Sequence, residues 1–294
     1  MTVDRALGLC AIAAVLVVGC GGDDSEKPAA PQNSSPVVED PGPVHVHGLG
    51  VNPKDQALFI ATHTGMFRLA EGQKTARRVA DRLQDTMGFT VVGPDRFLGS
   101  GHPDGREKLP PFLGLIRSTD AGETWKPVSL LGKRDFHVLE AAGQRVYGYG
   151  SDFKSRSAGF LVSSDGGESW EQRRVPEPLL ALAIDPDDPE RIIASGEQGL
   201  SLSANGGKSW RPLGGPAGLL AWTTAGLMVV DQDGAVHSAR EPEEELTAVG
   251  EAGGPAAALD RGPKGDLYVA LHDGAIKRSE DGGRTWTVRS KPAD

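Results

Sequence analysis

The chain has two cysteines, Cys10 and Cys20, both close to its start, and seven histidines in the remainder. Beyond residue 20 this excludes a thiolate metal site, a disulfide framework and a cysteine nucleophile. The donors left are His45, His47, His63, His102, His137, His237 and His272. Imidazole suits zinc, copper, iron or nickel, and carboxylates complete such sites without thiolate. Asp104, Asp152, Glu197, Asp231, Asp233 and Asp273, each at the end of an apolar run, are the acidic residues placed to do so. Two carboxylates could also work as an acid and its partner. Glu197 with Asp152 or Asp233 would serve glycoside hydrolysis if separated by roughly 5–9 Å. The same residue types also fill tight turns and cap backbone amides, as in Asp233-Gly234 and Asp273-Gly274. No Gly-x-Ser-x-Gly elbow, phosphate loop or His-Glu-x-x-His pair occurs.

Which of these residues meet depends on the elements that carry them, and the elements repeat. The octets Ser118–Trp125 (STDAGETW), Ser163–Trp170 (SSDGGESW), Ser203–Trp210 (SANGGKSW) and Ser279–Trp286 (SEDGGRTW) share one skeleton. Their acidic or amide positions, Asp120, Asp165, Asn205 and Asp281, lie 45, 40 and 76 residues apart, so one degenerate unit hides in the last gap. A second marker finds it. A glycine opens a short apolar stretch at Gly65, Gly114, Gly159, Gly199, Gly234 and Gly274, spaced 49, 45, 40, 35 and 40 apart. Upstream of each lie two more strand-like runs separated by a turn, such as GFTVV-GPD-RFLGS and HVLEA-AGQ-RVYGY. Four strands in about 40 residues is the unit of a propeller blade. The expectation is an all-β, six-bladed β-propeller over residues 44–294 with the octets as hairpins between strands C and D; a seventh blade has no residues to build it. In each octet the Asp or Asn should hold backbone amides two residues on, a glycine supplies positive φ, and Trp125, Trp170, Trp210 or Trp286 covers the join to the next blade.

Blade topology then sorts the chemistry by face. Strand A lines the central channel, the D-to-A and B-to-C connections open on one face, and the A-to-B turns and octet hairpins lie on the other. His45 and His47 (start of A, blade 1), His63 (end of B, blade 1), His102 (end of B, blade 2), His137 (start of A, blade 3) and His272 (end of B, blade 6) therefore gather round one mouth. Only His237 falls elsewhere, on a C strand. The hypothesis is a metal site built from His45, His47, His63, His102, His137 and His272, with copper or zinc as the ion, or else a metal-free polar pocket. A third reading is that these are turn residues and no more.

The octets resemble the Asp-box (BNR) repeat of sialidase-like propellers. That resemblance implies a sialidase only if an arginine triad and a tyrosine nucleophile are present. The Arg-Ile-Pro type motif is absent, and Tyr147, Tyr149 and Tyr268 sit on strands where packing is their expected role. The stretches HVHGLGVNP, ATHTGMFRL and DTMGFTVVGPDRFLGSGHPD are similar to those of bacterial Asp-box lipoproteins grouped with glycosyl hydrolases. More distantly the chain resembles sortilin ectodomains and photosystem II assembly-factor propellers, which implies a binding scaffold. Units one and five depart from the box pattern, which leaves open only their hairpin geometry.

The first residues read as a processing segment. Arg5 precedes the apolar run Ala6–Val18, and Val17-Val18-Gly19-Cys20 resembles a lipobox, so residues 1–20 are expected to be a lipoprotein signal peptide with Cys20 lipidated. Residues 21–43 carry Asp23, Asp24, Glu26, Glu39 and Asp40 against Lys27, a flexible acidic linker. The expected setting is outside the cytoplasm, anchored at the bacterial cell envelope. A net charge of −9 without a basic stripe argues against nucleic acid. Glu241–Glu245 reads as a solvated acidic loop. The expected partners are the membrane through Cys20 and a small ligand, a metal or an envelope protein, with the chain a monomer.

Overall fold

The structure, a computed structural model, describes Asp40 and residues 42–291. The expected signal segment, Cys20 and the greater part of the expected linker lie outside the described residues. Those described form six antiparallel sheets of four consecutive strands, with no helix among them. The innermost strands are Val46–Val51, Asp85–Gly93, Arg134–Ala142, Ala181–Ile184, Gly218–Thr223 and Ala256–Arg261, one per blade from blade 1 to blade 6. Each touches its neighbour, and the last touches the first, so the ring is closed. Each sheet is a run of consecutive strands, so no strand is exchanged to lock the seam. Blade 1 meets blade 6 through packed side chains, with Val46, Leu49, Ile60 and Phe67 against Ala258, Tyr268, Ala270 and Ile276. Ahead of the first strand, Asp40 accepts hydrogen bonds from Arg78 Nε and Nη2 of blade 1 at 2.8 and 2.7 Å.

The strands form because short β-branched and aliphatic runs alternate with glycine and aspartate turns, and five further core clusters bury them, each spanning two neighbouring blades. The four octets build one hairpin. In the first, Ser118 Oγ donates to Asp120 Oδ1 at 2.8 Å and accepts from Gly122 N at 2.8 Å. Asp120 then takes Thr124 N at 2.9 Å and Thr124 Oγ1 at 2.6 Å. Asp165 and Asp281 repeat this. Asn205 keeps it with the last bond reversed, Asn205 Nδ2 donating to Ser209 Oγ at 2.8 Å. The amide that spans each turn is thus four residues on rather than two. At the fourth octet position, glycine takes positive φ three times and Ala121 takes φ +57° in the first copy, a left-handed conformation that a side chain resists.

The box tryptophans correct the expectation in one respect. They pack on the preceding blade, not the next. Trp170 Nε1 donates to Ser129 Oγ of blade 2 at 2.9 Å, and Trp210 Nε1 donates to Arg174 O at the end of blade 3 at 3.0 Å. In blade 5, which lacks a box, the acidic loop does a related job. Glu241 and Glu243 accept from Arg191 of blade 4 at 3.0 and 2.9 Å, and that guanidinium lies 4.9 Å from the Trp222 ring. The loop is an inter-blade tie as well as a solvated surface.

Candidate functional site

Inner strands begin at the mouth opposite the octets, and in four blades they begin with a β-bulge. Pairing skips one residue between Val46 and Gly48, Thr86 and Gly88, Phe136 and Val138, and Ala256 and Ala258. The extra residues are His47, Met87, His137 and Ala257. A bulge re-aims the side chain it inserts. All four line a cavity of about 520 Å³ at the mouth, together with Leu180 and Leu219 from blades 4 and 5.

His45, His63 and His272 line the same cavity. The ring of His63 stands 4.2 Å from that of His47 and 5.7 Å from that of His45. Across the blade 1–blade 2 boundary, Asp85 Oδ1 lies 3.0 Å from His63 Nδ1 and 3.8 Å from His47 Nε2. One ligand atom from each of His47, His63 and Asp85 lies within 4.8 Å of the others. His47 Nε2 and Asp85 Oδ1 are both shut off from solvent without a hydrogen-bond partner. Burial pushes the His47 imidazolium down to about 4, with His63 adding to the effect and Asp85 opposing it, so a lone pair is available at neutral pH.

A second carboxylate organises the other two histidines. Asp135, 3% exposed, holds His137 Nε2 at 2.9 Å through Oδ2, and the same oxygen lies 3.4 Å from His102 Nε2. That hydrogen bond raises the pKa of His137. His102 Nδ1 is 2.8 Å from Pro111 O; a carbonyl only accepts, so Nδ1 carries the proton. His102 is therefore drawn out of the cavity toward Phe112, and the other five candidates line it. His237 bonds Asp231 Oδ2 at 2.9 Å away from the mouth cavity.

The rim carboxylates behave as turn groups. Asp152 accepts Lys154 N and Ser155 N at 3.0 and 2.8 Å and sits 3.5 Å from Arg134. Glu197 and Asp233 are exposed at their turns. None of the three lines the mouth cavity. Asp104 is buried under Arg106, which holds its carboxyl far below the usual carboxylate range. Tyr147 and Tyr268 are buried packing residues, Tyr147 Oη donating to Pro189 O at 2.6 Å.

Asp85, Met87 and Asp135 are functional candidates that residue-type reasoning passed over. An alignment of the strand starts would have found them, because His45-Val46-His47, Asp85-Thr86-Met87 and Asp135-Phe136-His137 occupy equivalent positions. Deeper in the channel two more acids were missed. Glu140 of blade 3 and Asp260 of blade 6 line both the space below the mouth and the cavity of about 370 Å³ at the opposite end. Blades 3 and 6 stand opposite each other in a ring of six, so the two carboxyls flank the channel between its ends. Burial, reinforced by Asp260, pushes Glu140 up to about 8, with Arg261 opposing. Burial likewise raises Asp260 to about 7, against backbone hydrogen bonds and Arg261.

Fold and mouth together define a six-bladed β-propeller with an imidazole- and carboxylate-lined channel entrance. No protein-family model matches the chain, and no curated protein matches its sequence. Among solved structures it is similar to a GH74 enzyme of Niastella koreensis, with TM-score 0.60 and 14% identity. That match covers 84% of this chain and 45% of the enzyme, so the chain spans less than half of that protein. It is also similar to YCF48 from Cyanidioschyzon merolae, with TM-score 0.52, 16% identity, and 85% and 86% of the two chains covered. Likeness at this identity establishes the propeller fold.

Proposed function

We propose that the protein is an Asp-box lipoprotein, anchored outside the cytoplasm through Cys20, that captures a transition-metal ion at the histidine-lined mouth of its channel. The observation that carries this reading is the pair of orphaned, solvent-shielded atoms His47 Nε2 and Asp85 Oδ1, with His63 beside them. Tetrahedral coordination with bonds of about 2.1 Å places ligand atoms about 3.4 Å apart. The distances of 3.0 and 3.8 Å from Asp85 Oδ1 to the two imidazoles bracket that value. A cation held between them would satisfy the buried His47 Nε2, which has no hydrogen-bond partner, and the buried Asp85 carboxylate together.

The purified protein, equilibrated with Zn²⁺ or Cu²⁺ and dialysed, should retain one equivalent. Outer partners of a metal site are typically worth 10–100-fold in affinity. His47→Ala or His63→Ala, which remove direct ligands, should therefore weaken binding by roughly 100-fold or more, with His237→Ala unchanged. Substoichiometric metal indifferent to these substitutions would sink the proposal. The anchor is checked separately: cells fed labelled palmitate should label the wild type and not Cys20→Ala.

A further inference from the structure

The four bulge residues, with Leu180 and Leu219 at the same mouth in blades 4 and 5, make a collar around the channel entrance, one residue from each blade: His47, Met87, His137, Leu180, Leu219 and Ala257. Its two halves differ. Three consecutive blades present nitrogen, sulfur and nitrogen, and the opposite three present only hydrocarbon. His137 is already held through Nε2 by a buried carboxylate, the arrangement that fixes a metal-ligating imidazole and leaves its other nitrogen to the ion.

Met87 is the informative member. The chain has four methionines. Met1 lies in the leader, and Met66 and Met228 are 5% and 6% exposed in inter-blade cores, where an unbranched thioether fills gaps. Met87 is in neither place. It lines the open cavity beside two histidines, at a position where the strand bulges to aim it there. A thioether is a soft, weak donor that zinc and hard cations do not select, but cuprous copper does. Leu180, Leu219 and Ala257 opposite lower the local polarity, which favours an ion of charge +1 over one of +2.

We infer that the collar takes cuprous copper, with the Met87 thioether as a ligand beside the imidazoles of the mouth. This rests on the metal-binding reading above and adds oxidation state and donor to it. The test is a competition titration of the purified protein with Cu(I), under nitrogen with ascorbate, against a chromogenic bathocuproine chelator, with Zn²⁺ titrated in parallel. Met87→Leu keeps the volume and apolar character and removes the sulfur. It should weaken Cu(I) binding at least tenfold, leave Zn²⁺ affinity within about twofold, and abolish the sulfur contribution to the copper X-ray absorption spectrum. Equal Cu(I) affinity in Met87→Leu and wild type overturns the inference while leaving a metal site intact. Equal losses for both metals would assign Met87 to packing and overturn it too. If the wild type binds Zn²⁺ and no Cu(I), the inference fails alone; if it binds neither ion, the underlying metal reading fails with it.

Discussion

Glu140→Gln will raise the midpoint of thermal unfolding at pH 8 and raise it much less at pH 5. Glu140 is pushed up to about 8 by burial in the channel wall, with Asp260 reinforcing the shift from the opposite blade. In the unfolded chain it returns to the ordinary glutamate range near 4.3. Below that range both states hold the proton and the site carries no penalty. As the pH rises from about 4.5 to about 8, the unfolded chain gives up its proton while the folded chain keeps it, so unfolding gains ground throughout that interval. The folded pKa is the raised one, and stability is therefore lost toward high pH. One pKa unit corresponds to about 1.4 kcal/mol. Channel water screens part of the effect, and a loss on the order of 3 kcal/mol by pH 8 is expected. For a protein of this size that is roughly 6–10 °C in midpoint. Glutamine has the same shape and no proton to lose, so it recovers most of that difference. Asp260→Asn should act alike, and the double variant should gain less than the two singles together because each carboxyl raises the cost of ionising the other. Thermal scans at pH 5, 6.5 and 8 decide the matter. Equal stabilisation at every pH would mean that the acids are uncomfortable for steric reasons and do not hold protons.

That pair shows where sequence reading stopped. The glycine markers at Gly65, Gly114, Gly159, Gly199, Gly234 and Gly274 located the third strand of every blade, including the boxless fifth, because a four-stranded meander must turn at regular intervals whatever its side chains do. The same regularity put the histidines at one mouth. It could not reveal that Glu140 and Asp260, seventh and fifth residues of inner strands, stand on opposite walls of one channel. Their relation runs across the ring between blades far apart in the chain. Nor could it separate Asp85 and Asp135, which reach histidines of the mouth, from Asp152 and Asp231, which accept their own turn amides, Asp231 holding only His237, away from the mouth. All four are aspartates at strand ends. The difference lies in the bulge, which shifts the strand register by one residue and so changes what the preceding side chain faces.

The bulges of blades 2 and 3 each face a glycine in the neighbouring strand, Gly101 and Gly150, and Gly150→Ala should be among the most damaging single-methyl additions in the protein. Gly150 pairs with Phe136 where the inner strand of blade 3 skips His137. A Cβ there would collide with Asp135 O and stand 2.6 Å from Phe136 Cα and 2.8 Å from Asp135 C. Every one of those atoms is backbone, so no side chain can swing aside, and relief requires the whole strand to move. Overpacking a core typically costs about 1–3 kcal/mol, and a clash answered only by backbone belongs at or above the top of that range. The strand that must move carries Asp135 and His137. Gly150→Ala should thus lower the denaturant midpoint by the equivalent of about 3 kcal/mol and weaken metal binding in the fraction that stays folded. Gly101 plays the same part under the Met87 bulge, where a Cβ would strike Asp85 O and lie 2.9 Å from Met87 N. Gly105, which has nothing within 4 Å of an added Cβ, is the control, and its replacement by alanine should change stability by no more than about 0.5 kcal/mol. If Gly150→Ala unfolds at the same denaturant concentration as Gly105→Ala, the bulge tolerates a side chain opposite it. The geometry that aims His137 into the channel would then have to come from the loops beyond the strand ends.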